Sequence, residues 1–248
     1  MTNQQPTKWY GFVPNLFTSL NLVCGVVGTY LVLNGKIQTA IILMFVAAVF
    51  DFFDGFLARL LKVSGELGKQ LDSLADLISF GLVPGAMVFV LQKNLIAEFA
   101  TPESMSLVQW FYILTPIMIP VFSALRLAKF NIDERQHTEF IGVPTPANAL
   151  FLASLAWTLT YRPDGFLSVI NNPIIISVIA IVFSLLLVSE IRLFALKFKS
   201  FSWSANKLRY VFLICSAAFI AVFQITGFMA VILLYIILSI GRNLTAKK

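Results

Sequence analysis

An all-α integral membrane protein, folded as a polytopic bundle of about eight transmembrane helices, is the fold class that the sequence predicts. Of the 248 residues, 58 % are hydrophobic and 12 % are charged, whereas soluble domains carry about 25 % charged residues. The mean hydropathy is +0.87. Apolar runs of about 20 residues, the length that crosses a bilayer as a helix, recur along the chain with short polar connections. We therefore expect one membrane-embedded domain over 1–248, because no soluble domain fits between the runs.

Helix-breaking residues set the order of the predicted spans. Pro14 suits the first turn of the first helix, and Asn34-Gly35-Lys36 predicts a turn before the second. Pro116 and Pro120 are expected to bend the fourth helix. The predicted spans cover about 13–33, 37–59, 70–91, 110–129, 145–161 and 173–191, followed by two within 208–240.

The last quarter of the chain is expected to form a basic segment and a helical hairpin. Basic and aromatic residues alternate over 192–207, which is typical of an interfacial segment on an anionic membrane surface. A contribution of this segment to a substrate site is the alternative. Residues 208–240 are too long for one span, and polar residues at 224–227 indicate a turn. The core of the domain then covers about 10–191, and the C-terminal part covers 192–248.

The distribution of charge predicts the topology. The net charge is +6 and the pI is about 9.4. The basic residues cluster beside membrane spans, which favours anionic lipid and an anionic substrate over nucleic acid as partners. With eight spans, fifteen of the 18 basic residues share one side, and only Lys36, Lys93 and Arg162 lie on the other. The positive-inside rule then places both termini, and the loop between the second and third spans, in the cytoplasm.

A pattern of four acids stands out between the second and third spans. The pattern D-x2-D-G-x2-A-R-x8-G-x3-D-x3-D runs from Asp51 through Asp54 and Asp72 to Asp76. A charged side chain at the centre of a bilayer costs about 3 kcal/mol or more, so such acids indicate a functional site. The first pair is spaced i,i+3 and the second i,i+4, so each pair shares a helix face. Two antiparallel helices facing one another would bring all four acids together.

These residue types are suited to binding a cation and a phosphate. Four bare carboxylates would repel one another, and divalent cations with all-oxygen ligands, Mg²⁺ or Mn²⁺, would remove the repulsion. Gly55 allows a ligand to approach the backbone, and Arg59 offers a planar fork for a phosphate. Upstream, a polar stripe on the first span forms either interhelical hydrogen bonds or a wall of a nucleotide pocket. The stripe consists of Asn15, Thr18 and Asn21.

The pattern from Asp51 to Asp76 is similar, position for position, to the signature of the CDP-alcohol phosphotransferase family. The resemblance implies that Asp51, Asp54, Asp72 and Asp76 hold two divalent cations and that Asp76 also accepts the proton of the attacking alcohol. It also implies contacts to the nucleotide and phosphates from further residues, and a homodimer. These contact residues are Gly55, Ala58, Arg59, Asn15 and Thr18.

Residues around the signature resemble one branch of that family. The segments 71–85, 124–131 and 140–147 are similar to CDP-diacylglycerol-dependent, membrane-integral phosphatidylserine synthases. The resemblance implies transfer of the phosphatidyl group from CDP-diacylglycerol to L-serine, with release of CMP. Arg126 is then a candidate for binding the serine carboxylate or the lipid phosphate, with a positive-inside anchor as the alternative. Choline, glycerol phosphate and inositol phosphate are the alternative acceptors.

Two further readings concern a different class of function and the single histidine. Acids on facing helices could also line the path of a divalent-cation transporter. Such a path needs polar residues that continue to the far side, but 41–49 and 82–91 are apolar. We therefore favour the enzyme. His137 lies in a charged loop, where a histidine is more often solvated than catalytic.

Overall fold

The computed structural model describes residues 11–63, 65–97, 101–133, 140–162, 166–194 and 202–246. Within them the chain is almost entirely helical, which confirms the predicted all-α membrane fold. The α-helices are α1 (Phe12–Leu33), α2 (Ile37–Leu61), α3 (Glu66–Asp76), α4 (Val83–Ala97), α5 (Leu107–Leu114), α6 (Met118–Ile132), α7 (Thr145–Tyr161), α8 (Pro173–Leu187), α9 (Trp203–Phe223) and α10 (Gly227–Ala246). Two short strands are also present, β1 (Phe140–Ile141) and β2 (Arg192–Leu193).

Five helical stretches are long and apolar enough to cross a membrane. They are Phe12–Leu33, Ile37–Leu61, Glu66–Ala97, Leu107–Ile132 and Asn206–Thr245. The last of these contains both α9 and α10, and the apolar α8 is shorter, at 15 residues. The eight predicted spans correspond to helical segments in the described residues, but length and composition alone support five. A total of eight spans stays a prediction.

The third span is longer than predicted, and it contains a π-helical segment between two α-helices. It starts at Glu66 and ends at Ala97, whereas the sequence predicts 70–91. Gln92 marks the predicted end because it is polar, yet it is fully buried. Its side-chain amide donates to Pro173 O at 3.0 Å and to Ser177 Oγ at 2.9 Å. The side-chain nitrogen is therefore satisfied by α8, whereas Oε1 has no partner among the described residues, and the helix continues past it.

A π-helical segment, Leu77–Leu82, joins α3 to α4 directly after Asp76. It packs against α1 at Gly25, where a Cβ atom would lie 2.9 Å from Ser79 N. The Ser79 hydroxyl donates to Asn21 O at 3.0 Å. Such single π-helical turns are found most often at functional sites. Here the segment orients the helix face that carries Asp76.

The fourth span is broken where the prolines predict a bend. A 3₁₀ turn, Thr115–Ile117, separates α5 from α6 and contains Pro116. A Cβ atom on Gly85 would lie 2.9 Å from Pro120 Cδ, so α4 passes very close to this break. The predicted bend is confirmed, and it allows α6 to run along the π-helical segment with the face that carries Arg126.

A pair of short antiparallel strands ends the sixth helical segment earlier than predicted. Helix α8 ends at Leu187 rather than at 191, because β1 and β2 pair antiparallel and draw the chain away. Gly142 N donates to Ile191 O at 2.9 Å. Gly142 has φ +74°, and a Cβ atom there would meet the carbonyl oxygens of Leu187 and Ser189. Only glycine accepts both the conformation and the close approach.

The C-terminal hairpin packs into the main hydrophobic core. Helices α9 and α10 meet at a 3₁₀ turn, Gln224–Thr226, within the predicted turn at 224–227. Buried side chains of α10 contact those of α7 and α8, including Leu152 and Ile176. The turn is fixed by Thr158 of α7, whose hydroxyl lies 2.9 Å from that of Thr226. Residues 195–201 of the predicted basic segment lie outside the described residues.

Candidate active site

Three of the four motif acids form one cluster where α2 and α3 face each other. One carboxylate oxygen from each of Asp51, Asp72 and Asp76 lies within 4.8 Å of those of the other two. Asp51 comes from just past the middle of α2, and the other two come from successive turns of α3. Asn21 Nδ2 of α1 donates to Asp76 Oδ1 at 3.3 Å. The cluster arises because the i,i+4 pair on α3 faces α2 as predicted.

The fourth acid, Asp54, lies beside this cluster rather than within it. It is 6 % exposed, and its Oδ2 atom has no hydrogen-bond partner among the described residues. It interacts electrostatically with Asp72 and with Arg59. A buried carboxylate oxygen without a partner costs free energy unless a ligand satisfies it. Asp54 is therefore placed to complete a ligand set rather than to stabilise the fold.

The acids are suited to a divalent cation. Their oxygen atoms are hard donors, which Mg²⁺ and Mn²⁺ prefer. Asp51, Asp72 and Asp76 converge without a cationic side chain in the group itself, and the orphaned Oδ2 of Asp54 is close by. The residues present therefore fit a metal site, which could be shared by more than one ion.

The other predicted contact residues surround the acids. Thr18 is buried on α1 and lies beside Asp54, although its hydroxyl donates to Pro14 O at 3.1 Å. Asn15 is one turn earlier, and its Oδ1 would lie 3.0 Å from a Cβ atom on Gly68. The polar stripe of α1 thus faces the motif, which fits the predicted pocket wall.

Gly55, Ala58 and Arg59 lie on the last turns of α2. A Cβ atom on Gly55 would lie 3.5 Å from a guanidinium nitrogen of Arg59, so this arginine folds back over the glycine. Arg59 is exposed, and Ala58 is half-buried. The arginine is therefore free to contact a phosphate at the edge of the acid cluster.

Arg126 of α6 is a further candidate residue near the acid cluster. It is only 7 % exposed, and its Nη1 atom donates to Thr145 Oγ1 of α7 at 2.9 Å. Its guanidinium lies 5.6 Å from the centroid of the Phe130 ring and interacts electrostatically with Asp76. Its Nε atom has no partner among the residues that the structure describes. The structure therefore brings Arg126 to the acids, which is more than a positive-inside anchor requires.

Sequence reasoning missed Asn148 on α7. Asn148 is fully buried, and neither of its amide atoms has a hydrogen-bond partner within the described part of the chain. It lies three residues after Thr145, so it shares the helix face that contacts Arg126. A buried amide without partners is rare in folded proteins. The signal in the sequence was a polar residue in the first turn of the helix, two residues after Pro146, where a transmembrane helix is otherwise apolar.

A cavity of about 350 Å³ opens next to Arg126. We call it the α6–α8 cavity, because residues of α6 and of the segment after α8 form most of its wall. Its charged lining residues are Arg126, Lys129, Asp133 and Glu190. It is separate from the acid cluster, and Arg126 is common to both. His137, the other residue weighed from sequence, lies outside the described residues.

A hydrophobic cluster separates the acids from the far ends of the helices. It contains Ile41 and Met44 of α2 together with Val83 and Met87 of α4, all of them buried. The apolar stretches 41–49 and 82–91 therefore pack against each other. Among the described residues no polar path continues from the acids through this cluster, which disfavours a cation transporter.

Comparison with known proteins is consistent with this site. Residues 11–241 match the CDP-alcohol phosphatidyltransferase family. The chain is 30 % identical over 181 residues to the CDP-diacylglycerol–serine O-phosphatidyltransferase of Bacillus subtilis (strain 168), covering 73 % of this chain and 89 % of that protein. It is 29 % identical over 180 residues to the protein of the same name from Methanocaldococcus jannaschii, covering 73 % and 72 %. The like-named protein of Helicobacter pylori (strain 26695) is 28 % identical over 225 residues, covering 90 % and 88 %.

Proposed function

Because this chain belongs to the CDP-alcohol phosphatidyltransferase family, we propose that it transfers the phosphatidyl group of CDP-diacylglycerol to L-serine. The products are phosphatidylserine and CMP. The relatives named above carry the name of this activity. The observation that carries the proposal is the convergence of Asp51, Asp72 and Asp76 next to a buried Arg126. The enzyme belongs to phospholipid biosynthesis.

The reaction exchanges a phosphoanhydride bond for a phosphoester bond. The hydroxyl oxygen of serine attacks the phosphorus that carries the diacylglycerol, the bond from that phosphorus to the bridging pyrophosphate oxygen breaks, and CMP leaves with the electron pair. The hydroxyl proton must be removed as the new bond forms. Asp76 is the proposed base, because it is the member of the acid cluster that interacts electrostatically with Arg126. General-base catalysis of this kind contributes about 10²–10⁴-fold.

The acids would hold the metal, and neighbouring side chains would orient the donor. Asp51, Asp54, Asp72 and Asp76 are the proposed ligands of two ions, Mg²⁺ or Mn²⁺. A bound divalent cation neutralises phosphoryl oxygens and stabilises a leaving phosphate. Gly55, Ala58 and Arg59 are the proposed contacts of the nucleotide and phosphates, with Asn15 and Thr18 as the pocket wall. Arg126 would bind either the transferred phosphate or the serine carboxylate, since its fork matches both.

The proposed setting is a homodimer whose active sites and termini face the cytoplasm. The distribution of the basic residues supports the orientation, and resemblance to the family supports the dimer. Single cysteines at Lys62 and Lys93, both exposed, would report the orientation in a background without Cys24 and Cys215. We expect labelling from opposite sides of the membrane. Chemical cross-linking in intact membranes tests the dimer.

The decisive experiment is an acceptor panel with the purified protein. CDP-diacylglycerol is supplied with L-serine, choline, glycerol phosphate or inositol phosphate, and CMP release is measured. We expect serine to support turnover at least about tenfold faster than any other acceptor, which corresponds to about 1.4 kcal/mol of discrimination. Phosphatidylserine should appear in equal amount to CMP. Faster turnover with another acceptor would replace serine, and no CMP release with any of them would refute the proposal.

A further inference from the structure

Three polar side chains join the beginning of α3 to the end of α6. The ammonium group of Lys69 donates to Asn131 O at 2.7 Å, and Asn131 Nδ2 donates to Ser73 Oγ at 2.8 Å. The Ser73 hydroxyl in turn donates to Lys69 O at 3.2 Å. These bonds close a ring between the two helices, which we call the α3–α6 tie. It consists of Lys69, Ser73 and Asn131.

Each member of the tie is suited to its place. Lys69 and Ser73 are spaced i,i+4 and therefore lie on one face of α3. Asn131 O belongs to the last four carbonyl groups of α6, which have no partner within the helix. A lysine ammonium is a favourable partner for such a carbonyl, because the C-terminal end of a helix carries partial negative charge. The tie therefore satisfies the end of α6 with a side chain from α3.

A second contact holds the same two parts of the chain together further along. A Cβ atom on Gly81 of the π-helical segment would lie only 3.0 Å from Ser123 Cβ of α6. Gly81 is eight residues after Ser73, and Ser123 is eight residues before Asn131. The two elements therefore run antiparallel side by side, with one contact at each end of this stretch.

Asp76 and Arg126 lie within this stretch, between the two contacts. Asp76 follows Ser73 by three residues, and Arg126 precedes Asn131 by five. The side chains of Asp76 and Arg126 interact electrostatically, and Asp72 lies directly before Ser73. The tie is therefore within one turn of the acids of α3, and about 7.5 Å from Arg126 along the axis of α6.

The distance between the acids and Arg126 matters for the proposed reaction. A group held by the acids on α3 and a group held by Arg126 on α6 must meet in one active site, and a misplacement of about 1 Å can cost about 10²-fold in rate. Close packing holds the inner contact at Gly81, and hydrogen bonds of the tie hold the outer one. Lys69 is exposed, and a hydrogen bond in water contributes little net stability. The tie is therefore better suited to fixing positions than to stabilising the fold.

We propose that the α3–α6 tie positions the reacting groups: it holds Asp72 and Asp76 of α3 at a fixed distance from Arg126 of α6 during phosphatidyl transfer. The inference rests on the proposed function. The three members of the tie are positioning residues, which act through the acids and the arginine and need no contact with substrate. They act as a unit, because each member takes part in two of the three bonds of the ring.

The first test measures kcat, the KM values for serine and CDP-diacylglycerol, and Tm in purified Lys69→Met and Asn131→Leu. We expect each variant to lower kcat per folded molecule by about tenfold or more, with both KM values within about twofold of wild type. The Tm should change by less than about 2 °C, and its increase with Mn²⁺ should persist, because the four acids are unchanged. Lys69→Arg keeps a donor for the Asn131 carbonyl and should restore most of the lost kcat. Lys93→Met and Asn34→Leu, at exposed positions outside the tie, are the matched controls and should leave kcat unchanged.

A double variant separates positioning from direct contact with substrate. In Lys69→Met/Asn131→Leu, kcat should be no lower than in the more impaired single variant, because either change already opens the ring. Independent contacts of the two side chains with substrate would instead multiply the two losses, and that result would overturn the inference.

Spin labels report the positions of the two helices without reference to activity. They are attached to Leu67→Cys of α3 and Ile132→Cys of α6, both exposed positions, in a background without the two native cysteines. The distribution of distances between the labels, measured by EPR, should be broader with Asn131→Leu than with the wild-type asparagine. With Asn34→Leu it should stay unchanged.

Three results would overturn the inference. They are an unchanged kcat in both single variants, a fall in activity that only follows loss of folded protein, and a distance distribution that Asn131→Leu does not broaden. The absence of CMP release by wild type with every acceptor would instead refute the proposed function. The two failures are thereby distinguished.

Discussion

Two regions of this protein treat buried polar side chains in opposite ways. Near the acid cluster, Asp54, Arg126 and Asn148 each keep at least one buried atom that has no hydrogen-bond partner in the described residues. Around the C-terminal hairpin, Thr158 donates to Ser154 O at 2.8 Å, and Tyr235 donates to Phe194 O at 2.8 Å. An unsatisfied buried polar group costs about 1–3 kcal/mol. The first region therefore gives up stability at positions that a ligand can satisfy, while Thr158 and Tyr235 of the second help to hold the fold, although Ser216 Oγ of α9 also has no partner among the described residues.

The largest expected effect comes from removing divalent cations, which should affect only the first region. After exhaustive chelation, CMP release should fall to background, and it should return with Mn²⁺ or Mg²⁺. Mn²⁺ should also raise the Tm of the substrate-free protein, because a ligand that binds the folded state stabilises it. That increase should be absent in Asp72→Asn and present in the exposed-acid control Glu66→Gln. Full activity after chelation would rule out the metal role of the acids.

The next effect separates two roles within the acid cluster. Asp76→Asn keeps the size of the side chain and one ligand oxygen but removes the base, so turnover should fall by about 10²–10⁴-fold while CDP-diacylglycerol still binds. Asp51→Asn should weaken binding of the metal and of the lipid nucleotide together. Neither variant should unfold at a lower temperature, because each relieves repulsion between neighbouring carboxylates. Affinity for CDP-diacylglycerol and serine-dependent CMP release are measured for both. Near-normal turnover in Asp76→Asn would show that Asp76 is not the base.

A third prediction compares the two regions on one helix. Asn148 and Thr158 are both buried on α7, ten residues apart, but only the side chain of Thr158 has hydrogen-bond partners within the part of the chain that the structure describes. Asn148→Leu should lower turnover by about tenfold, as expected for loss of one hydrogen bond to a charged ligand or residue, and should leave the Tm unchanged or higher. Thr158→Val should lower the free energy of unfolding by about 1 kcal/mol and leave kcat unchanged. The opposite pattern in the two variants would refute the comparison.

The sequence predicts most of the helices and the motif residues, for physical reasons that are easy to identify. Apolar length and helix breakers determine the helical segments, so 145–161 coincides with α7, and Pro116 coincides with the break in the fourth span. The spacing of the acids determines their helix faces, so Asp51, Asp72 and Asp76 meet. These features depend on local sequence alone.

Features that depend on tertiary contacts could not be predicted in this way. Gln92 is polar and therefore suggests a helix end, but a neighbouring helix accepts both hydrogen bonds of its side-chain nitrogen. The π-helical segment after Asp76 contains Gly81, but a glycine does not predict this type of helix, and the segment packs closely against Gly25 of α1. The pairing of β1 with β2, which shortens α8 and shapes the α6–α8 cavity, joins residues about 50 positions apart. Local periodicity does not encode that pairing.

The smallest expected effect tests whether the hairpin region is purely structural. The Tyr235 hydroxyl of α10 donates to Phe194 O, and its ring packs against the rings of Phe194 and Phe212 at centroid distances of 4.9 and 5.4 Å. Tyr235→Phe keeps the ring contacts but leaves a buried carbonyl without this donor. It should therefore lower the free energy of unfolding by about 1 kcal/mol.

In Tyr235→Phe, turnover per folded molecule and the KM values for serine and for CDP-diacylglycerol should stay at wild-type levels. Tyr235 belongs to the hydrophobic core that joins α10 to Phe194, directly after β2. It is not one of the four acids and does not line the α6–α8 cavity. Tyr30→Phe is the matched control. Tyr30 is 66 % exposed on α1, so the same change should leave the Tm unaltered. Thermal unfolding in detergent and serine-dependent CMP release are measured for both variants. A fall in kcat for Tyr235→Phe at temperatures well below its Tm would mean that the hairpin takes part in catalysis, and the contrast between the two regions would then have to be abandoned.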